Sequence, residues 1–295
     1  MNDRLERMKA LKRILCAGSV TADVIVTPAD SVPTPGTLRA VEGVSTHVGG
    51  CAANAAIDLA KLGVPVTLSC KVGRDSFGRF VRETAGEAGV DIRGIVEDGG
   101  VSTTVSIVCV NSSGERSFLY NPGSAAAYTL EDIDLRLVEE CDIVFVAGAM
   151  LLTSFDGEPC ARFMEEARAK GKFTVMDTAW DFADVWLPKV EAVLPHLDLF
   201  MPSLEEAQKL TGEADPDRIA DRFFEMGVAN VIVKLGKEGA LFCPAGRERF
   251  RLPTYRSIKP VDTTGAGDTF CGYCLNYLLD HPLGSLTMDK VGEML

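Results

Sequence analysis

The chain is 295 residues long, 46% hydrophobic and 24% charged, proportions that exclude disordered and collagen-like architectures and provide for a sizeable buried core. Thirty Lys and Arg against 42 Asp and Glu leave a formal charge of −12, which repels polyanions at long range and argues against nucleic acid as a partner, though not against small phosphates held by backbone N–H groups. No apolar run approaches the roughly 18–20 residues that span a bilayer, the N-terminus lacks the apolar stretch of a secretory signal, and the nine scattered cysteines read as reduced core thiols, so a cytoplasmic protein is expected.

Residues 14–20 predict a first buried strand, and Asp23 follows just past its end. Residues 23–48, rich in Val, Thr, Pro and Gly, carry no helical period. Residues 53–62 predict a helix closed by Gly63, the residue type favoured in the left-handed position after a last turn. Residues 101–120 form a second extended segment, in which alternating Val105, Ile107 and Cys109, then Phe118 and Tyr120, flank the turn Asn111-Ser112-Ser113-Gly114. The segments at about 23–48 and 101–120 predict a small antiparallel sheet, a lid over a strand-end cleft. Beyond residue 140, the apolar runs 143–147, 173–177, 198–201 and 230–235 predict buried parallel strands. The stretches 157–171, 186–196, 203–211 and 216–227 predict helices between them. Strand then helix, repeated, predicts an α/β fold: a doubly wound, mostly parallel sheet with helices on both faces, in a single domain over 1–295. Its ligand belongs at the carboxyl ends of the strands.

The most informative stretch is Val261-Asp262-Thr263-Thr264-Gly265-Ala266-Gly267-Asp268-Thr269-Phe270, which opens a helical run over 271–279. Its glycines let consecutive N–H groups face an anion at a helix start, where the dipole also favours negative charge. Asp268 inside such a cradle suits either a general base for an attacking hydroxyl or a carboxylate stabilising the first turn. A dinucleotide fingerprint would need glycine where Phe270 stands, and no Gly-Lys-Ser/Thr of a Walker loop occurs. A second motif, Val48-Gly49-Gly50-Cys51-Ala52-Ala53-Asn54, allows close approach of a ligand to the backbone and offers the Asn54 amide to a polyol. Gly18-Ser19-Val20-Thr21-Ala22-Asp23 places a carboxylate at a strand end.

Taken together, the GSxxxD start, the GGxxxN segment and the DTTGAGD segment resemble the ribokinase-like, or PfkB, carbohydrate kinases over residues 14–279. The resemblance implies a ribokinase-like fold with a β-lid, and transfer of the ATP γ-phosphoryl to a hydroxyl of a sugar or sugar acid. It implies Asp268 as base, Gly265, Ala266 and Gly267 as anion hole, and Asp23, Gly49, Gly50 and Asn54 as acceptor contacts. Lys234, Gly236 and Gly239 would border the nucleotide. Glu206 would organise Mg2+ through water, although Ser203 replaces the family's Asn and Ser203 with Glu206 also spells a helix capping box. Asp262 and Thr264 match positions that hold a monovalent cation, potassium, in many members. A homodimer through the lid is a further family expectation. A nucleoside kinase and a catalytically silent sugar-binding protein are the alternatives on the same fold.

Three departures shape the expected substrate. Family members continue with helices that help wall the adenine pocket, whereas this sequence ends at Leu295. Ribokinase-type enzymes carry a Glu after the strand that here reads Val146-Ala147-Gly148-Ala149-Met150, so ribose is disfavoured. Keto-deoxygluconate kinases carry Asp-x-Asn-x-Arg where this chain has Asp177-Thr178-Ala179-Trp180-Asp181, which lacks the cation for a substrate carboxylate. Cys271 and Cys274 read as core thiols without zinc partners. Of the three histidines only His47, next to the diglycine, could reach a substrate, and a surface or satisfied polar role is the favoured reading. Arg39, Arg74 and Arg116 would serve a phosphorylated substrate if they faced the cleft, and Phe118 and Tyr120 would stack on a ring or pack the lid.

Overall fold

In the computed structural model, residues 12–254, 263–281, 283, 286 and 288–294 are described. The first half runs β1 (Ile14–Gly18), β2 (Thr21–Thr27), β3 (Gly43–Gly49), α1 (Cys51–Lys61), β4 (Val66–Gly73), α2 (Ser76–Glu87), β5 (Asp91–Asp98), β6 (Val105–Val110), β7 (Arg116–Asn121), α3 (Gly123–Ala126) and α4 (Leu135–Glu139). The second runs β8 (Ile143–Ala149), α5 (Glu158–Ala169), β9 (Phe173–Thr178), β10 (Leu199–Phe200), α6 (Leu204–Thr211), α7 (Pro216–Glu225), β11 (Asn230–Lys234), β12 (Ala240–Pro244), β13 (Phe250–Leu252), α8 (Ala266–Asp280) and α9 (Met288–Met294).

Strand β1 explains the layering. All its residues are buried, and they alternate between two packing groups: Ile14 and Cys16 join Ile143, Phe145 and the α1 alanines, while Leu15 and Ala17 join Val144, Val146 and Phe163 of α5. A strand apolar on both faces is satisfied only when helices cover both. Nine strands follow in the order β13-β12-β11-β10-β9-β8-β1-β4-β5, parallel from β5 to β11, with β12 and β13 antiparallel at one edge. The chain winds from β1 outward through β4 and β5, then returns to β8 on β1's other side, so the topological switch point lies between β1 and β8. Their carboxyl ends are where such a sheet offers a ligand crevice.

The lid is a separate four-stranded sheet in the order β3-β2-β6-β7. It is mixed, not antiparallel as expected: β2 pairs antiparallel with β3 and β6 with β7, but the central pair β2–β6 is parallel. The reason is the route of the chain, which leaves β2 and builds β4 and β5 before returning. A second correction concerns residues 186–196, expected to be a helix. They form two short 3-10 turns, Leu187–Lys189 and Leu194–His196, each with proline near its start (Pro188, Pro195). Proline 195 in mid-segment removes a backbone donor and stops an α-helix from running through. Among the described residues no helix is long and apolar enough to cross a membrane, and all nine cysteines are unpaired.

Candidate active site

The switch point is crowded by backbone. Gly18 ends β1 so close to β8 that a Cβ there would stand 2.0 Å from the Ala147 carbonyl oxygen. Ser19 is buried and its Oγ accepts from the Cys51 N–H at 3.1 Å, which ties the end of β1 to the start of α1. Gly50 precedes that helix with φ of 90°, and a Cβ on it would lie 2.6 Å from the Ser19 carbonyl oxygen. No other residue type meets both demands.

Asp23 sits in β2 opposite His47 of β3, and the bare α-carbon of Gly49 makes room for its carboxylate: a Cβ at 49 would be 2.1 Å from Asp23 Oδ2. Burial pushes the Asp23 carboxyl up to about 6, although His47 pulls the other way. One turn into α1, the Asn54 amide Nδ2 donates to Asp268 Oδ2 at 2.8 Å. Helices α1 and α8 pack directly against one another, so residues 214 apart in sequence meet. Asp268 lies in the first turn of α8, whose N-cap Gly265 takes φ of 75° and has no side chain capping it. The first N–H groups of a helix lack intrahelical acceptors, so Gly267 and Asp268 present theirs at this end.

Beneath the anion cradle lies a buried ion pair. Lys234, at the end of β11, holds Asp177, near the end of β9, at 2.6 Å, and a Cβ at position 267 would be 3.4 Å from the Lys234 ammonium. Burial pushes Asp177 up to about 7 even against the pull of Lys234. For Lys234, burial works to lower its pKa, but Asp177, Cys271 and Glu206 outweigh that and keep it protonated. Lys234, Gly236, Gly239, Ala266, Gly267 and Phe270 line one cavity of about 250 Å3, with Leu252 and Thr254 of the sheet edge. Glu206 closes the group. Its Oε2 accepts from the Ser203 N–H at 2.9 Å and the Thr178 hydroxyl at 2.9 Å, and the reciprocal Ser203 contact completes the capping box. Oε1 has no hydrogen bond among the described residues.

A family profile described as pfkB family carbohydrate kinase matches residues 11–286. The chain belongs to the PfkB family of carbohydrate kinases. It is 30% identical over 257 residues to fructokinase-1 of Oryza sativa subsp. japonica, covering 83% of this chain and 78% of the relative. It is likewise 30% identical over 250 residues to 2-dehydro-3-deoxygluconokinase of Thermoproteus tenax, covering 81% and 75%. Among solved structures, Arabidopsis thaliana ribokinase complexed with ribose and ATP superposes with a TM-score of 0.78 at 25% identity, covering 92% of this chain and 86% of that one. The fold is ribokinase-like.

This carbohydrate kinase brings most of its predicted site residues together. Asp23, Gly49, Gly50, Asn54, Gly265, Gly267 and Asp268 adjoin one another, and Lys234 carries the chain of contacts to the nucleotide-side cavity. Asp262 lies outside the described residues. Thr264, expected at the same cation site, takes a hydrogen bond from Arg116 of β7, so the lid touches the anion-cradle loop. Arg39 and Arg74 line other cavities, one on the lid and one beside α2. Sequence reasoning missed Asp177 and Phe182. A carboxylate at the end of a wholly buried strand was the available signal for Asp177. Phe182 had none, because its place follows from how the 178–186 loop folds.

Proposed function

We propose that this kinase transfers the γ-phosphoryl of ATP to a hydroxyl of a small sugar, with Asp268 as general base. The observation that carries the reading is the pairing of Asp268 with Asn54 at the uncapped start of α8. One carboxylate oxygen is oriented by the amide, and Oδ1 remains for an acceptor hydroxyl. A carboxylate is too weak to ionise an alcohol beforehand, so it takes the proton as the O–P bond forms. The N–H groups of Gly265 and Gly267 line the anion hole for the transferred phosphoryl, while the Ala266 N–H, expected to join them, donates to the Thr263 carbonyl at 3.1 Å; the Lys234 ammonium adds positive charge from below. Asp23, Gly49, Gly50 and Asn54 hold the acceptor. Gly236 and Gly239 border the nucleotide in the 250 Å3 cavity, whose glycines and small residues suit close approach of a planar ligand and its phosphates, and Thr264 adjoins the nucleotide from the loop that leads into α8.

The donor set fits Mg2+ carried on phosphates: Glu206 offers a single uncommitted carboxylate oxygen, which suits contact through water. Bound there, the ion would neutralise phosphate charge and hold the donor in line. The unpaired thiols agree with a reducing compartment, the cytoplasm.

The test is ADP release from ATP with Mg2+ and potassium across hexoses, pentoses, sugar acids, sugar phosphates and nucleosides. Asp268→Asn should lower turnover by roughly 10²-fold or more while acceptor binding persists. A variant retaining most of its rate would remove Asp268 from the base role.

A further inference from the structure

Among the described residues, the hydroxyl of Tyr120 is the one buried side-chain polar atom with no hydrogen-bond partner. An orphaned buried hydroxyl forfeits its hydration without replacement, so a native fold that keeps one leaves it for a partner that arrives. Its position says which partner. Across the lid, His47, Asp23, Ser106 and Tyr120 stand directly opposite one another on β3, β2, β6 and β7, and residues paired in this way share one face of a sheet. Tyr120 therefore lies in the row of Asp23, and Asp23 and Cys51 both press on its phenol electrostatically, adding to the burial that pushes it up to about 12. The ring of Phe182 leans against the Tyr120 ring, centroids 5.9 Å apart at 57°, and half of Phe182 remains exposed.

Resting on the kinase reading above, we propose that Tyr120 and Phe182 form the acceptor-recognising wall. Tyr120 hydrogen-bonds an oxygen of the sugar, Phe182 covers an apolar C–H face, and the acceptor is a neutral hydroxylated sugar, not a sugar acid. Charge decides the last point. Asp23 occupies the same row and repels a second carboxylate. Two ammonium groups at the site are already paired with carboxylates, Lys234 with Asp177 at 2.6 Å and Lys189, 5.6 Å from the Phe182 ring centre, with Asp181 at 2.6 Å, and the Arg116 guanidinium is drawn to the anion-cradle loop by its hydrogen bond to Thr264. Amphipathic aromatic walls suit sugars because the ring offers an apolar body and the phenol a polar tip. Of the chemistries named among the relatives and solved structures, fructokinase, ribokinase and 2-dehydro-3-deoxygluconokinase, the wall selects the neutral-sugar kinds over the last.

The test is calorimetric binding of fructose, glucose, ribose, gluconate and 2-dehydro-3-deoxygluconate to the full chain, to Tyr120→Phe and to Phe182→Ala, with thermal melts to check folding and ADP release measured in parallel. A neutral sugar should bind tightest, and Tyr120→Phe should weaken it roughly 3–10-fold, the value of one neutral hydrogen bond, with the KM for ATP unchanged. Phe182→Ala should weaken the same sugar. Unchanged binding by a folded Tyr120→Phe, tightest binding of a sugar acid, or no sugar binding at all would overturn the wall. Sugar binding that follows the prediction without any phosphoryl transfer would uphold the wall and count against the kinase chemistry instead.

Discussion

At the scale of single residues, the site holds charges where the fold would be more stable without them. Asp23 is the clearest case: burial raises its carboxyl to about 6, above the range of an exposed aspartate, with His47 only partly compensating and the Tyr120 phenol close by. Because the folded-state pKa exceeds the unfolded one, the unfolded chain sheds this proton first. The fold is therefore unpenalised below about pH 4 and loses stability as pH rises through 6. Asp23→Asn should accordingly raise stability by about 1 kcal/mol at pH 8, after discounting for solvent screening, and by nothing at pH 4. Urea unfolding at the two pH values measures this, and equal effects at both would show that the charge is not the cause. The same variant should lose acceptor binding, a trade of stability for function. Asp177 is a different bargain, since its ionisation is offset by a lysine lodged under the anion cradle.

At the scale of elements, the loop from β9 to the first 3-10 turn shows how an irregular segment becomes rigid. The Asp181 side chain is fully buried and accepts from the N–H groups of Ala183 at 3.0 Å, Val185 at 2.7 Å and Trp186 at 2.8 Å, as well as from Lys189. It holds Asp184 and Trp186 at φ of 54° and 62°, a region side chains rarely adopt. Trp180 and Trp186 meet edge to face, with Lys209 over both rings, and Phe182 is left facing Tyr120. Asp181→Ala would take the carboxylate from Lys189, leaving it, among the described residues, only the Met150 carbonyl, and would remove the acceptor of the buried Trp186 N–H and of the part-buried Ala183 and Val185 N–H groups. It should cost about 3–5 kcal/mol in urea unfolding and weaken acceptor binding with it. A loss below about 1 kcal/mol would mean that packing, not this carboxylate, shapes the loop. None of this was legible beforehand, because Asp181 reads in sequence as one more loop acid. The regular elements were legible: β8, β9 and β11 announce themselves as short apolar runs, and Gly63 marks the end of α1. The 3-10 turns were not, because the 3.6-residue spacing around residues 186–196 concealed what Pro195 forbids. Glycine pairs and Asp268 pointed to the cradle, but the Asn54–Asp268 contact depends on the packing of α1 on α8.

At the scale of the molecule, the lid's outward face is its unfinished surface. Asp23, Ser106 and Tyr120 point one way, so Val24, Val26, Val44, Ile107, Cys109 and Leu119, at alternate positions of the same strands, point the other. Val44 is 63% exposed and Leu119 58%, and β3 and β7 end the sheet with open edges. Exposed apolar strands with free edges invite pairing with another chain, and a second copy offers the same face in a self-complementary arrangement. We expect a homodimer through the lid. Each copy carries a formal charge of −12, so association brings like charges together and should strengthen as salt screens them, opposite to a contact built on ion pairs. Sedimentation velocity at micromolar protein in 20 and 300 mM salt reads this directly, with Val44→Glu and Leu119→Glu as variants expected to remain monomeric and folded. A wild-type chain that stays monomeric at both salt concentrations would show that the lid works alone. Because β7 carries Leu119 on one face and Tyr120 on the other, dimer formation and acceptor binding would then share a strand, and the glutamate variants should bind sugar more weakly only if that strand depends on its partner.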